Sequence, residues 1–241
     1  MIRAKKRSWN SYLLEFFMLF FAVSLGFMAD NLRDKASENR QELEYIQSMI
    51  EDVEEDRANI SRVININNQK ILRLDTLSNM CFRYTGSEDD KLTINKFFVE
   101  VILHPEFFTS TELTMQQLKN AGGMRFIKKK KAINEIIRYD TKLKKIANQQ
   151  LYYENYQNKA IEIGTDIFNV NAMLFAIRNM NGGLSSNIPD LLNEDPLKLK
   201  KLGNNVTMYQ GIVLYYVRLL EELKKQGTIM EQTLRDTYGL R

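Results

Sequence analysis

YLLEFFMLFFAVSLGFMA, residues 12–29, is eighteen residues long and carries a single charge, Glu15. A bilayer hydrocarbon core of ~30 Å takes roughly 20 apolar residues at ~1.5 Å each. Residues 9–29 supply that length, with Trp9 and Tyr12 at the start, where amphipathic rings favour the headgroup level. Phe16, Phe17, Phe20, Phe21 and Phe27 cover nearly every side of the helix, which a helix buried along one face of a soluble fold does not need. The stretch reads as one transmembrane helix. Four cations and no acid precede it: Arg3, Lys5, Lys6 and Arg7. The segment that follows mixes acids (Asp30, Asp34, Glu38, Glu42) with bases (Arg33, Lys35, Arg40). The positive-inside rule then places residues 1–11 in the cytoplasm and the bulk of the chain outside. A cleaved signal peptide has the same charge order, and Ala22-Val23-Ser24 imitates a cleavage site. The apolar run is longer than a signal-peptide core, and helix-forming sequence continues past Ala29, so an uncleaved anchor is expected.

Glu15 is costly inside a bilayer unless it lies near the interface, is paired or is protonated. Two readings stand: it snorkels to the interface or pairs with Lys5, Lys6 or Arg7, or it sits inside a helix–helix contact. The second uses spacing. Ala22, Gly26 and Ala29 follow Glu15 on one helical stripe, and small residues four apart let helices approach closely.

Three prolines and eleven glycines in 241 residues, with helical rather than alternating hydrophobic spacing, predict an all-α protein. The span would continue into a long helical stalk over 30–80, with 81–241 completing an antiparallel helical-bundle domain in the periplasm. The net charge of +4 falls near zero without the basic tail, so nucleic acid is not an expected partner. The lone Cys81 has no intrachain partner and reads as a small buried hydrophobe.

Residues 30–42 are polar all round and predict a solvated neck. From Leu43 a heptad runs through positions 43, 46, 50, 53, 57, 60, 64, 67, 71 and 74, interrupted by Arg57 and Asn67. Polar seam residues of this kind fix register or tip out to solvent. Residues 82–93 read as the first break. A short helix over 94–103 ends at His104-Pro105, and Thr109, Ser110 or Thr111 would cap a helix through Asn120. Ala121-Gly122-Gly123 stops it, and 124–127 forms a hydrophobic plug. The Lys128 to Lys131 run reads as a solvated face. Residues 132–180 form a long helical stretch with a possible break near Gly164; its apolar set includes Ile137, Leu151, Tyr152, Leu174, Phe175 and Ile177. Residues 181–205 read as a loop containing Pro189 and Pro196, with one or two helical turns around Leu191 and Leu199. The last helix, over 206–238, buries Val213, Tyr216, Val217, Leu220 and Leu223.

Catalytic chemistry is sparse. One histidine, His104, and one cysteine exclude a multi-histidine or cysteine-pair metal site. Gly122-Gly123 and Gly182-Gly183 lack the pattern of a phosphate loop. Neither an enzyme, a cofactor nor a small-molecule substrate is expected.

Two stretches carry a resemblance. YLLEFFMLFFAVSLGFMADNLRDKASENRQELEYIQSMIEDVEED (12–56) resembles the start of a family of uncharacterised single-span proteins from Bacteroidota, which share a short basic tail, a tyrosine, a glutamate early in the span and an asparagine just past it. Those positions are Tyr12, Glu15 and Asn31 here. The family often has tryptophan next, where this chain has Leu32. ELTMQQLKNAGGMRFIKKKKAINEIIRYD (112–140) is similar to the family's middle. The likeness covers about the first 140 residues. It implies a bacterial inner-membrane protein with a helical periplasmic domain and no assigned activity, and it makes Glu15 a family feature. The expected function is a membrane-anchored structural or interaction protein of the envelope. It would associate with itself or with another membrane or periplasmic protein, as a homo-oligomer or hetero-complex. The alternative is a subunit of an oligomeric ion or proton channel that uses Glu15.

Overall fold

A computed structural model describes residues 9–111, 113–120, 122–172 and 190–240. Within them the chain is all-helical: α1 (Trp9–Arg83), α2 (Glu88–Ile102), α3 (Leu113–Asn120), a 3-10 turn (Gly123–Arg125), α4 (Lys130–Thr165) and α5 (Pro196–Tyr238). The apolar N-terminal stretch, the polar neck and the first core helix are one continuous helix of 75 residues, about 110 Å at ~1.5 Å per residue.

Helix boundaries follow local chemistry. α1 stops where Gly86 takes φ +81°. The Ser87 hydroxyl then accepts the Asp90 amide at 3.2 Å, and Glu88, Asp89 and Asp90 place negative charge at the positive end of α2, where the helix dipole favours it. The break is therefore only residues 84–87, not 82–93. α5 also begins ten residues earlier than the expected start at 206. Asp195 caps it by accepting the Leu197 amide at 2.9 Å, and Pro196 occupies the first turn. There its missing N–H is no loss and its fixed φ suits a helix start. The long stretch after 132 ends at Thr165, near Gly164 as the sequence suggests. Leu174, Phe175 and Ile177 lie outside the described residues.

α5 packs along both α1 and α4. Pairings between α1 and α5 run in reversed order: Glu42 with Tyr238, Arg57 with Glu231, Ile71 with Gln210, Ser78 with Thr207. α4 and α5 also pair in reverse, from Glu135 with Gln226 to Tyr153 with Tyr209. α1 and α4 touch mainly through long side chains. The segment 103–129, including α3, closes the side between them.

Burial divides α1 sharply. Residues 30–41 are exposed on every side, and from Glu42 onward one stripe is buried. That stripe is 46, 49, 53, 56, 60, 63, 67, 70, 74, 77 and 81, alternating steps of three and four. The expected heptad contained one row of it (46, 53, 60, 67, 74). In its other row Ile50 is buried, but Leu43 is exposed and Arg57, Ile64 and Ile71 are half-buried flanks. The true second row is Met49, Asp56, Val63, Lys70 and Leu77. Two charged residues in the row hide it from a search for apolar positions. α4 shows the same effect. Ile137, Leu151 and Tyr152 are exposed, whereas Tyr153 is fully buried and Glu135, Gln149 and Gln157 share its face.

Candidate functional site

The buried polar residues converge on one feature, the irregular segment 103–111. A buried loop must find partners for its backbone amides and carbonyls or lose stability. Here side chains from three helices supply them. Lys70 donates to the His104 carbonyl at 2.6 Å. Asn67 donates to the Glu106 carbonyl at 3.1 Å and to its own helix at Val63 O, 2.9 Å, while its Oδ1 accepts the Tyr153 hydroxyl at 3.0 Å. Gln157 reaches the Ile102 carbonyl at 2.6 Å and Gln150 the Phe108 carbonyl at 2.8 Å. The Phe108 amide donates to the Tyr216 hydroxyl at 2.8 Å. Tyr153 stands at the centre, edge-on to Phe107, Tyr209 and Tyr216 at 4.8, 5.2 and 5.5 Å, the T-shaped geometry that aromatic quadrupoles favour.

A second polar layer lies one turn of loop further on. Asp56 accepts the Thr111 amide and the Tyr139 hydroxyl, both at 2.7 Å, and Asp52 accepts the Thr114 amide at 3.3 Å. Two carboxylates of α1 thus meet the N-terminus of α3. From this neighbouring helix, Asp56 and Asp52 accept amides at the start of α3. Burial pushes the Asp56 carboxyl up, against the bonds from Thr111 and Tyr139 that favour the anion. Burial also lowers the Lys70 ammonium to about 8, with Glu106 opposing.

Lys70 borders a cleft of about 290 Å³ with Arg73, Glu100, His104 and Glu106. A larger cleft of about 600 Å³ has Phe107, Phe108, Met115, Leu143 and Ile146 in its walls, and Asp140 bridging Lys119 and Lys144. Cys81 is a free, buried thiol that burial pushes up to about 12. Among the described residues no three His, Cys, Asp or Glu side chains converge as metal ligands would. The polar cluster holds an irregular loop inside the fold.

The residues singled out from sequence fall in two places. Asn67 is a fully buried member of the polar cluster. Arg57 sits at the seam's edge, paired with Glu231 across α5 and packed over Gly227. Glu15, Ala22, Gly26 and Ala29 lie on the apolar part of α1. Glu15 is half-buried there, the other three are exposed, and nothing lies within 4 Å of a Cβ built at Gly26. Tyr153 belongs to the aromatic band Tyr152, Tyr153 and Tyr156, which reads from sequence as core and rim and not as a ligand cage; Tyr153 is indeed core and Tyr152 is exposed. Asp52, Asp56 and Lys70 carry no such signal of their own. The signal that locates Asp56 and Lys70 is the strict three–four spacing continued through charged positions.

The apolar part of α1 is the second distinctive surface. Its window is apolar enough to cross a membrane and none of it is buried. Leu19, Phe20, Phe21 and Phe27 are 68%, 54%, 57% and 73% exposed. Compared with known proteins, the chain matches no family model, no curated protein and no solved structure.

Proposed function

We propose that this chain is a single-span membrane protein of the bacterial inner membrane, with residues 1–11 in the cytoplasm and an antiparallel helical bundle in the periplasm. Its role is structural: it anchors and projects a helical domain that associates with a second copy or with another envelope protein. The observation that carries this is the 12–29 stretch. Its apolar residues project on every side of a helix that no other described element covers. Leaving such a surface in water costs roughly 25 cal/mol per Å², and hydrocarbon removes that cost. The reversed pairings of α5 with α1 and α4 support the bundle. The resemblance to the Bacteroidota single-span proteins supports the address.

Size measurement of the detergent-solubilised or nanodisc-held protein tests the reading. Association with itself or a co-purifying protein is expected; a strict monomer without companions counts against it. The channel alternative draws on Glu15 alone. The remaining side chains of 12–29 offer one hydroxyl, Ser24, beside Tyr12 and no second charge, which is a poor lining for ions. Parent protein without conductance in vesicles removes that alternative.

A further inference from the structure

We infer that Lys129, Lys130 and Lys131 form a docking surface for the anionic headgroups of the membrane that residues 12–29 enter, an inference that rests on the membrane reading above. The fold brings this run, a hundred residues downstream, to the near end of the domain. The Lys128 amide donates to Glu42 at 2.7 Å, and its ammonium bonds Glu38 and Asn39 at 3.1 Å each. The run therefore lies level with residues 38–42 of α1. That is 9–13 residues beyond Ala29, or ~14–20 Å along a helix. A headgroup layer fills ~5–8 Å of that distance. What remains is close to the Debye length of ~8–10 Å, and a helix tilt of ~20° brings one flank of the domain closer still.

The charges are available. Glu38 and Glu42, the carboxylates that touch the segment, are both engaged by Lys128. Lys129, Lys130 and Lys131 are exposed, and among the described residues no carboxylate lies within ion-pair distance of them. Arg125, also exposed, extends the patch beside Phe126, whose ring stacks on Tyr45 at 6.4 Å. The run is also misplaced by the rules of a soluble helix. Lys129 is the N-cap of α4 and forms no side-chain cap, and the first turn holds no acid. Cations at the positive end of the helix dipole are unfavourable. An anionic surface facing them reverses that sign, and polybasic segments near a membrane gain from each lysine.

The full chain in nanodiscs of phosphatidylcholine alone, and in discs containing phosphatidylglycerol, provides the test. Lysine acetylation by an amine-reactive ester is read peptide by peptide, with exposed Lys96 on α2, at the far end, as internal reference. Lys129, Lys130 and Lys131 are expected to react at least ~3-fold more slowly in the anionic discs, with the protection lost at high salt. The triple variant K129Q/K130Q/K131Q, with unchanged helicity, should lose the parent's preference for anionic discs when both kinds are offered. Equal rates in the two discs overturn this surface and leave the anchor intact. Protection that is the same in neutral discs assigns the run to a protein neighbour and also overturns it. Failure to enter either disc removes the anchor, and this surface with it.

Discussion

At Gly164 two opposing effects can be weighed on one atom. Replacing glycine by alanine inside a helix normally gains ~0.5–1 kcal/mol. Here the added Cβ would stand 2.2 Å from Phe98 Cζ, and Phe98 is itself held by stacking on Phe168 at 4.2 Å. The clash wins: Gly164→Ala is expected to lose ~1–3 kcal/mol in chemical denaturation. Gly211→Ala is its control. It sits in α5 with nothing within 4 Å of the new carbon, and should be neutral or gain up to ~1 kcal/mol. Lys70 gives a pH signature. Its folded value of about 8 lies below the ordinary 10.5, so the unfolded chain binds the extra proton between those values. Stability attributable to Lys70 therefore rises with pH across that window, and its burial penalty is fully present below about 8. Compared with Lys70→Met, the parent should gain up to about 3 kcal/mol between pH 8 and 10.5, measured as paired denaturation curves. Of these residues, sequence singled out Asn67 and noted the break near Gly164. Lys70 escaped because an isolated lysine among polar neighbours looks like surface until the loop carbonyl it serves is seen.

At the scale of elements, α1 shows how a seam is both legible and misread. The row 46, 53, 60, 67, 74 was visible because four of its five residues are apolar. The second expected row, 43, 50, 57, 64 and 71, meets the core only at Ile50, because Asp56 and Lys70 spoil the true row one residue away. Their burial answers to a non-local demand, the unpaired backbone of 103–111, which no local pattern reports. α3 depends on that arrangement. Asp56→Ala would strand the Tyr139 hydroxyl and the Thr111 amide, and is expected to cost ~2–4 kcal/mol. Hydrogen exchange should show the Thr111 and Thr114 amides speeding up first. The α5 start differs for another reason: the stretch before 206 reads as a loop with a helical turn around Leu199, whereas Asp195-Pro196 is a cap followed by a first-turn proline, so that turn is already the start of α5. Asp195→Ala should cost ~1 kcal/mol, visible as faster exchange confined to the first turn of α5.

Across the whole molecule, helix content and the exposed apolar stretch were legible from composition and periodicity, because both are written locally. The wedge of 103–129 between α1 and α4 was not, since it depends on side chains brought together from three helices. The anchored reading predicts that the full chain floats with liposomes and resists carbonate extraction; recovery in the soluble fraction would reject it. Finally, the helix that enters the apolar region is the same unbroken rod that carries the seam, with no joint along residues 30–41. Such a shaft transmits azimuth as well as height. One residue inserted there turns the domain by ~100° relative to the Ala22–Gly26 side, whereas seven bring it back to within ~20°. If an envelope partner grips both regions at once, crosslinking to it should fail for the single insertion and return for the seven-residue one, while thermal stability stays level throughout.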